Sequence, residues 1–152
     1  MDLADLIAED AILPALRSQS KKQVLQDLSE KAADLTGLPA RTIFETILQR
    51  ERLGSTGIGN GIAIPHGKLN GLPRIRGVFA RLVKPVEFEA MDDQPVDLVF
   101  LLVAPENAGA DHLKALSKIA RMLRNPKTVT DLRAGRDAAA LHHLMTQVES
   151  NA

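Results

Sequence analysis

The chain has 152 residues, and its 19 Lys and Arg against 19 Asp and Glu give a formal net charge of zero. Such a balance argues against a protein held to nucleic acid or to an anionic membrane by bulk charge. The absence of Cys excludes disulfides, thiolate metal sites and a cysteine nucleophile. We expect a single domain over residues 1–152. Its four histidines are the first candidates for catalytic residues.

The first ten residues carry four acidic side chains and no basic one, which differs from a secretory signal. No stretch of the sequence reaches the roughly 18 consecutive apolar residues of a membrane-spanning helix. We therefore expect a cytoplasmic protein without membrane insertion.

The first third of the chain contains the signals of one strand and two helices. Their predicted ranges are 11–17 for the strand and 20–35 and 39–52 for the helices. Pro14 would place the strand at a sheet edge. Ser20 is a typical N-cap, Gly37 a typical helix end, and Pro39 suits the first turn of the second helix.

Strand signals dominate the middle of the chain. Residues 54–61 hold four glycines and are predicted to form a loop. The strands that follow are predicted at 62–64, 77–83 and 96–103. Pro65 stops the first of them, and the nearly continuous apolar run of the last indicates a strand covered on both faces.

Three helices are predicted in the last third of the chain, at 108–124, from Pro126 onward with Asn125 as its cap, and at 137–148. The apolar stripe of the first is assigned to Leu113, Leu116, Ala120 and Leu123. Helices, then strands, then helices predict an α/β protein with a single mixed β-sheet and helices packed on both faces.

The glycine-rich run at 57–61 does not fit a nucleotide-binding loop. A dinucleotide fingerprint needs a strand before the glycines and a helix after them, and here that order is reversed. A P-loop needs four residues between its glycines, whereas five separate Gly61 from Gly67, and Leu69 stands where Ser or Thr should reach magnesium. We expect instead that the amides of this loop border a site built on His66.

His66 lies between Pro65 and Gly67, which fix the approach of the ring and leave one side of it open. No Gly-x-Ser-x-Gly motif and no His-x-x-x-His spacing accompanies it, so a hydrolase nucleophile and a zinc site are both disfavoured. A nucleophilic imidazole that accepts a phosphoryl group needs less: a neutral ring nitrogen, a fixed tautomer, and cations or donors around the phosphate.

The run Gly-Ser-Thr-Gly-Ile-Gly-Asn-Gly-Ile-Ala-Ile-Pro-His-Gly-Lys-Leu at 54–69 closely resembles the active-site signature of phosphotransferase-system EIIA domains of the fructose/mannitol type. Within that group it looks most like the nitrogen-related branch, EIIA-Ntr. The resemblance extends through residues 94–100 to the helix that carries His112. It implies the EIIA fructose/mannitol-type fold over the whole chain.

The resemblance also implies roles for three residues. His66 matches the histidine that receives a phosphoryl group on Nε2 from a phosphorylated HPr-like carrier (NPr). Arg50 matches the arginine that stabilises the phosphate, and His112 matches the second active-site histidine. It implies no metal and no organic cofactor, because the phosphoryl donor is another protein.

Three functional hypotheses stay open at this point. The first is a phosphocarrier whose phosphorylation state regulates partners such as a potassium transporter or a sensor kinase. The second is a sugar-specific EIIA that passes phosphate to a separate EIIB. The third is a non-catalytic binding module that keeps the fold.

Two surface features could serve a docking carrier. An apolar rim is predicted from Ile58, Ile62, Leu69 and Leu72. A basic stripe on the helix of His112 comprises Lys114, Lys118, Arg121 and Arg124, which could steer the encounter or simply be a solvated face. His142 and His143 point about 100° apart on a helix, so we expect one to face the core and the other solvent, with no role in the site.

Overall fold

The computed structural model describes residues 2–150. Its helices are α1 (Leu3–Leu6), α2 (Lys21–Thr36), α3 (Ala40–Arg52), α4 (Ala110–Arg124), α5 (Pro126–Ala134) and α6 (Ala138–Ser150), with a 3-10 turn at Glu9–Ala11. Its strands are β1 (Ile12–Leu16), β2 (Gly57–Gly59), β3 (Ile62–Ala63), β4 (His66–Leu69), β5 (Arg76–Val86) and β6 (Val96–Pro105). None of the helices in this part of the chain is both long and apolar enough to cross a bilayer.

The six strands form one mixed sheet in the order β1-β5-β6-β3-β2, and β4 also pairs with β6. The β5–β6 pair is antiparallel, whereas β1 runs parallel to β5 and both β3 and β4 run parallel to β6. The predicted mixed sheet is confirmed. Strand β1 ends the order, so Pro14 lies in an edge strand as predicted, where its missing amide costs no ladder hydrogen bond.

Helices cover both faces of the sheet, each over its own apolar cluster. The side chains of α2 and α3 pack on one face, and those of α1, α4, α5 and α6 pack on the other. Strand β6 supplies both clusters in alternation: Phe100 and Leu102 face the second set of helices, and Leu101 and Val103 face the first. The prediction of a strand covered on both faces is therefore confirmed.

Local capping chemistry sets the helix ends. The Ser20 hydroxyl accepts a hydrogen bond from the Gln23 amide, and Gly37 takes a left-handed φ of 78° after α2. The Asn125 side chain accepts from the amides of residues 127 and 128 at the start of α5. These three predictions are confirmed. Pro39 is a small correction, because it is the cap before α3 and not part of the first turn.

The segment from 54 to 69 contains more strand than the sequence predicted. The predicted loop holds β2, which turns through Asn60 and Gly61 at φ 57° and 82° and pairs antiparallel with β3. After Pro65 the chain resumes pairing as β4, with His66 opposite Leu102. The Pro65 carbonyl accepts from the Leu102 amide at 2.9 Å. The proline therefore separates β3 from β4, but the chain continues to pair with β6 on both sides of it.

The apolar stripe of α4 is rotated from the predicted one. Its buried residues are His112, Ala115, Ile119, Met122 and Leu123. Leu113 is 68% exposed, and of the predicted stripe only Leu123 is fully buried, with Leu116 and Ala120 partly so. Two overlapping stripes share this sequence, and packing against the sheet selects the one that turns His112 inward.

Candidate active site

His66 opens β4 with its ring held by a backbone carbonyl. Its Nδ1 lies 2.9 Å from the Ile64 oxygen, and a carbonyl can only accept, so Nδ1 carries the hydrogen. The other ring nitrogen, Nε2, then keeps its lone pair. The ring is half-buried. The structure thus supplies a fixed tautomer with a defined nucleophilic atom.

Gly67 lets helix α3 approach β4 beside His66. A Cβ at this position would come within 3.0 Å of Thr46 Cγ2 and 3.1 Å of Ile47 Cδ1. Such distances are shorter than side chains normally tolerate, so a larger residue would push the helix away. The glycine therefore helps to bring the last turn of α3 to the edge of the His66 ring.

The last turn of α3 carries Arg50 into the same cleft. Its Nη1 donates to the Gly54 carbonyl at 2.8 Å, which ties the guanidinium to the turn that follows the helix. The guanidinium still has other N–H groups to offer, because it carries five. It is a forked donor of the kind that binds phosphate or carboxylate oxygens.

His112 lies beside His66 in the same cleft. The two ring centroids are 5.6 Å apart with an interplanar angle of 64°. His112 is only 7% exposed, and within residues 2–150 no hydrogen-bond partner is found for its buried Nε2. A buried polar nitrogen without a partner is costly, and such atoms are typical of ligand-binding or catalytic sites. The structure therefore brings together all three residues predicted for the site, His66, Arg50 and His112.

Both rings favour the neutral state. Burial lowers the pKa of His66 below its ordinary value of 6.5, and the Arg50 charge lowers it further, against the Ile64 hydrogen bond and the Glu51 charge. Burial, the His66 ring and Lys68 lower the pKa of His112. At neutral pH the Nε2 lone pair of His66 is consequently available for bond formation.

The lining of the cleft is positive and lacks acids. Its residues are Thr46, Gln49, Arg50, Arg52, Leu53, His66, Gly67, Lys68 and His112. Three of these are Lys or Arg, and none of the residues found to line it is Asp or Glu. A neutral nucleophile surrounded by cations suits an anionic electrophile, such as a phosphoryl group.

Sequence reasoning missed Arg52 and Lys68 as residues of this cleft. Lys68 follows His66 by two positions in β4, and alternate residues of a strand share a face. The period-two pattern would have identified Lys68 if a strand had been predicted after Pro65. Arg52 carries no comparable signal beyond its place at the helix end.

The glycine loop at 57–61 was expected to border the His66 cleft, and it lies elsewhere. None of residues 57–61 is among those that line the His66 cleft. The turn at Asn60 lies instead beside the start of β6, where Arg133 donates to the Asn60 carbonyl at 2.7 Å and pairs with Asp97 at 2.9 Å. The expectation that the amides of this loop border the site is wrong, because β3 carries the chain along β6 before His66 is reached.

The predicted apolar rim is also wrong. Ile62, Leu69 and Leu72 are each at most 6% exposed, and Ile58 is partly buried, because these side chains belong to the two core clusters. The exposed apolar residues beside the site are Leu53, at 86%, and Leu113, at 68%. Leu53 lines the cleft from the turn after α3, and Leu113 follows the cleft residue His112 in the first turn of α4.

The remaining predicted residues lie outside the cleft. Of the basic stripe on α4, Lys114, Arg121 and Arg124 are exposed and Lys118 is partly buried. His142 packs inward with Nε2 3.1 Å from the Ile7 carbonyl, and His143 is exposed, as predicted for adjacent helical positions. In the described part of the chain, no three His, Asp or Glu side chains come together as a metal site.

The lowered histidine pKa values predict a stability that decreases in mild acid. As the pH falls from about 7 to about 5, the unfolded chain protonates both imidazoles at their ordinary pKa, whereas the folded chain resists protonation. The unfolded state then binds more protons, and its free energy falls relative to that of the folded state. Thermal unfolding across this range should show a smaller loss for the His66→Asn/His112→Asn double variant than for the wild type. An equal loss in both proteins would contradict the assignment.

Comparison with known proteins gives consistent matches along most of the chain. The family model for the phosphoenolpyruvate-dependent sugar phosphotransferase system, EIIA 2, matches residues 5–148. A nitrogen regulatory protein of Bradyrhizobium diazoefficiens is 60% identical over 145 residues, which are 95% of this chain and 95% of the relative. The nitrogen regulatory protein of Escherichia coli K12 is 42% identical over 98% of this chain and 92% of its own length.

Solved structures agree with these sequence matches. The nitrogen regulatory protein IIA-Ntr of Neisseria meningitidis superposes with a TM-score of 0.90 at 33% identity, over 95% of this chain and 99% of that one. The mannitol IIA of Escherichia coli gives a TM-score of 0.76 at 19% identity, over 91% and 97% of the two chains. The second likeness is one of fold alone.

Proposed function

Because the chain belongs to the EIIA 2 family of the phosphoenolpyruvate-dependent sugar phosphotransferase system, in its nitrogen regulatory group, we propose that it is a phosphocarrier that accepts a phosphoryl group on His66. The family comparisons confirm the resemblance drawn from residues 54–69. The observation that carries the proposal is the neutral Nε2 of His66 in a cleft lined by Arg50, Arg52 and Lys68 without a carboxylate.

The transfer requires no external proton. The Nε2 lone pair of His66 forms the new bond to phosphorus as the bond between phosphorus and the ring nitrogen of the donor breaks, and that electron pair returns to the donor. The Nδ1–H of His66 continues to donate to the Ile64 carbonyl, and this hydrogen bond stabilises the positive charge that the ring gains. The reaction joins two rings in line, so an open cleft at the surface suits it better than a deep pocket.

Arg50 and His112 have separate roles in this proposal. Arg50 donates to the phosphoryl oxygens and offsets their negative charge during transfer. His112, in the tautomer with hydrogen on its otherwise unpartnered Nε2, donates a hydrogen bond to the phosphoryl group on His66. That bond would satisfy the buried nitrogen, so phosphorylation would relieve a cost present in the free protein.

The donor in this proposal is a phosphorylated HPr-like carrier (NPr) in the cytoplasm. Leu53, which lines the cleft, and Leu113, next to His112 in the chain, offer exposed apolar contacts, and the exposed basic side chains of α4 favour an acidic partner surface. The outputs would be regulatory partners, such as a potassium transporter or a sensor kinase, that distinguish the phosphorylated from the free form.

A sugar-specific role is the second candidate. The fructose-specific EIIABC component of Bacillus subtilis is 36% identical over 81% of this chain, which covers 20% of that longer protein. Higher identity to nitrogen regulatory proteins favours the regulatory role. A phosphorylated chain that transfers its phosphate rapidly to a fructose-type EIIB would reverse this preference.

The proposed function predicts one acid-labile phosphate per chain. The protein would be incubated with phosphoenolpyruvate, the general phosphotransferase enzyme and an HPr-like carrier, and its intact mass measured before and after mild acid. Omission of the carrier should prevent labelling, because the proposed donor is the phosphorylated carrier and not phosphoenolpyruvate or the general enzyme. A folded wild-type chain that stays unlabelled with every carrier tried would overturn the proposal and favour a non-catalytic binding module.

A further inference from the structure

Glu51 is a buried carboxylate next to the phosphate-binding arginine. The residue is 6% exposed, whereas its neighbour Arg52 is exposed and Arg50 is partly so. A carboxylate removed from water is costly unless other groups hydrogen-bond and neutralise it. Its side chain does not line the His66 cleft, so it does not contact the phosphoryl group directly.

The carboxylate of Glu51 joins three segments of the chain. Both of its oxygens accept from the Thr56 amide at 3.2 Å, and one accepts a short hydrogen bond from the Thr56 hydroxyl. Lys21, at the start of α2, places its Nζ 2.9 Å from the other oxygen and 4.8 Å from the Phe88 ring centroid. Glu51 therefore connects the turn 53–56 to the end of α3 and to the start of α2.

The same turn holds the guanidinium of Arg50. Gly54, between the two ends that Glu51 connects, accepts from Arg50 Nη1 through its carbonyl at 2.8 Å. The Gly54 amide donates to the Glu51 carbonyl at 3.1 Å, which closes the turn. A continuous path of contacts thus runs from Lys21 through Glu51 and the turn to Arg50.

We propose that Glu51 is a positioning residue for phosphoryl transfer: its buried carboxylate fixes the turn 53–56, and the Gly54 carbonyl then orients Arg50 toward a phosphoryl group on His66. This inference rests on the proposed phosphocarrier function. The function needs only that His66 accept phosphate, whereas the inference assigns the orientation of Arg50 to a residue outside the cleft. The carboxylate charge also raises the pKa of His66, so its removal should lower that pKa further.

The test compares Glu51→Gln with Glu45→Gln on the same helix. Glu45 is exposed and pairs with Arg41 at 3.0 Å, so the control makes the same chemical change at a surface ion pair. With phosphorylated carrier as substrate, Glu51→Gln should lower kcat by about tenfold to a hundredfold and leave KM nearly unchanged, as expected for a misplaced group. Glu45→Gln should match the wild type. A kcat for folded Glu51→Gln equal to that of the control would overturn the proposal.

Two further measurements keep the inference separate from the proposed function. NMR of the unphosphorylated proteins should show a more mobile Arg50 side chain and a lower His66 pKa in Glu51→Gln than in Glu45→Gln. These signals are measured without phosphate, so they test the positioning role separately from phosphate acceptance. A wild type that accepts no phosphate would refute the proposed function and leave the positioning of Arg50 to be decided by these signals. Unchanged Arg50 and His66 signals in Glu51→Gln would refute the positioning role alone.

A second variant covers the case in which Glu51→Gln does not fold. Thr56→Val preserves the shape of the side chain and the Lys21–Glu51 ion pair, and removes only the hydroxyl that donates to the carboxylate. It should lower kcat by a smaller factor, of several-fold, with the same loss of Arg50 order. Full wild-type kcat together with an unchanged Arg50 signal in Thr56→Val would count against the proposal.

Discussion

Replacement of His66 by alanine should abolish phosphate acceptance, with a loss of at least about a thousandfold in rate, because removal of a nucleophile leaves only residual binding. The only other ring in the described cleft is that of His112, which is buried and lies 5.6 Å away between centroids. The measurement is phosphate incorporated per chain from phosphoenolpyruvate through the HPr-like carrier. Circular dichroism should show that the variant stays folded, since the ring is half-buried at the edge of the core.

The control for this experiment is His143→Ala, which removes an exposed ring on α6 and should leave labelling intact. Labelling of His66→Ala at the wild-type rate would show that another residue is the acceptor. His112→Ala should still fold, but it should accept phosphate and pass it on more slowly than the wild type. Unchanged transfer by that variant would restrict His112 to a structural role.

Replacement of Arg50 by alanine should lower kcat for phosphoryl transfer by about a hundredfold to a thousandfold, the usual effect of losing one donor to a developing charge. Nε2 of His66, the proposed acceptor, remains in this variant, so slow labelling should persist. Arg50→Lys should recover part of the rate, because an ammonium restores the charge but not the planar fork, which binds the Gly54 carbonyl and in the proposed role would also bind phosphate oxygens. Rapid-quench kinetics with phosphorylated carrier would give kcat and KM separately.

The matched control is Arg41→Ala, on the same helix at an exposed position where the side chain pairs with Glu45. It should keep the wild-type kcat and KM. If Arg50→Ala raised KM and left kcat unchanged, Arg50 would bind the carrier and would not stabilise the phosphoryl group in the transition state.

The parts of the fold that the sequence predicted are those with local causes. Ser20, Gly37 and Asn125 mark helix ends through contacts within a few residues, and the pattern alone reveals them. The short strands β2 and β4 escaped prediction, because their pairing partners, β3 and β6, stabilise them and their own residues do not indicate strand. The rotation of α4 was missed for a similar reason, since only the sheet beneath it selects between two apolar stripes.

The residues of the candidate site also differ in whether a local sequence signal identifies them. His66 was found from its flanking Pro65 and Gly67, whereas Arg50 and His112 were assigned through the resemblance to EIIA domains. Neither has a local signature that separates it from a surface residue, and only the packing of α3 and α4 around β4 brings them to His66. Glu51 has an acidic side chain in a polar helix end, and the sequence gives no indication that it is buried.

The parallel pairing of β4 with β6 has a consequence for how the protein is made. His66 lies opposite Leu102, and β1 pairs with β5 through Ile12 and Phe79, so the sheet is closed by contacts between residues far apart in the chain. Such a topology has a high contact order and folds more slowly than a helical bundle of equal length. During synthesis, His66 leaves the ribosome before β6 does, and His112 follows later still with α4. A nascent chain therefore carries His66 without its cleft, and the proposed phosphate acceptance would become possible only once the C-terminal half has emerged and docked.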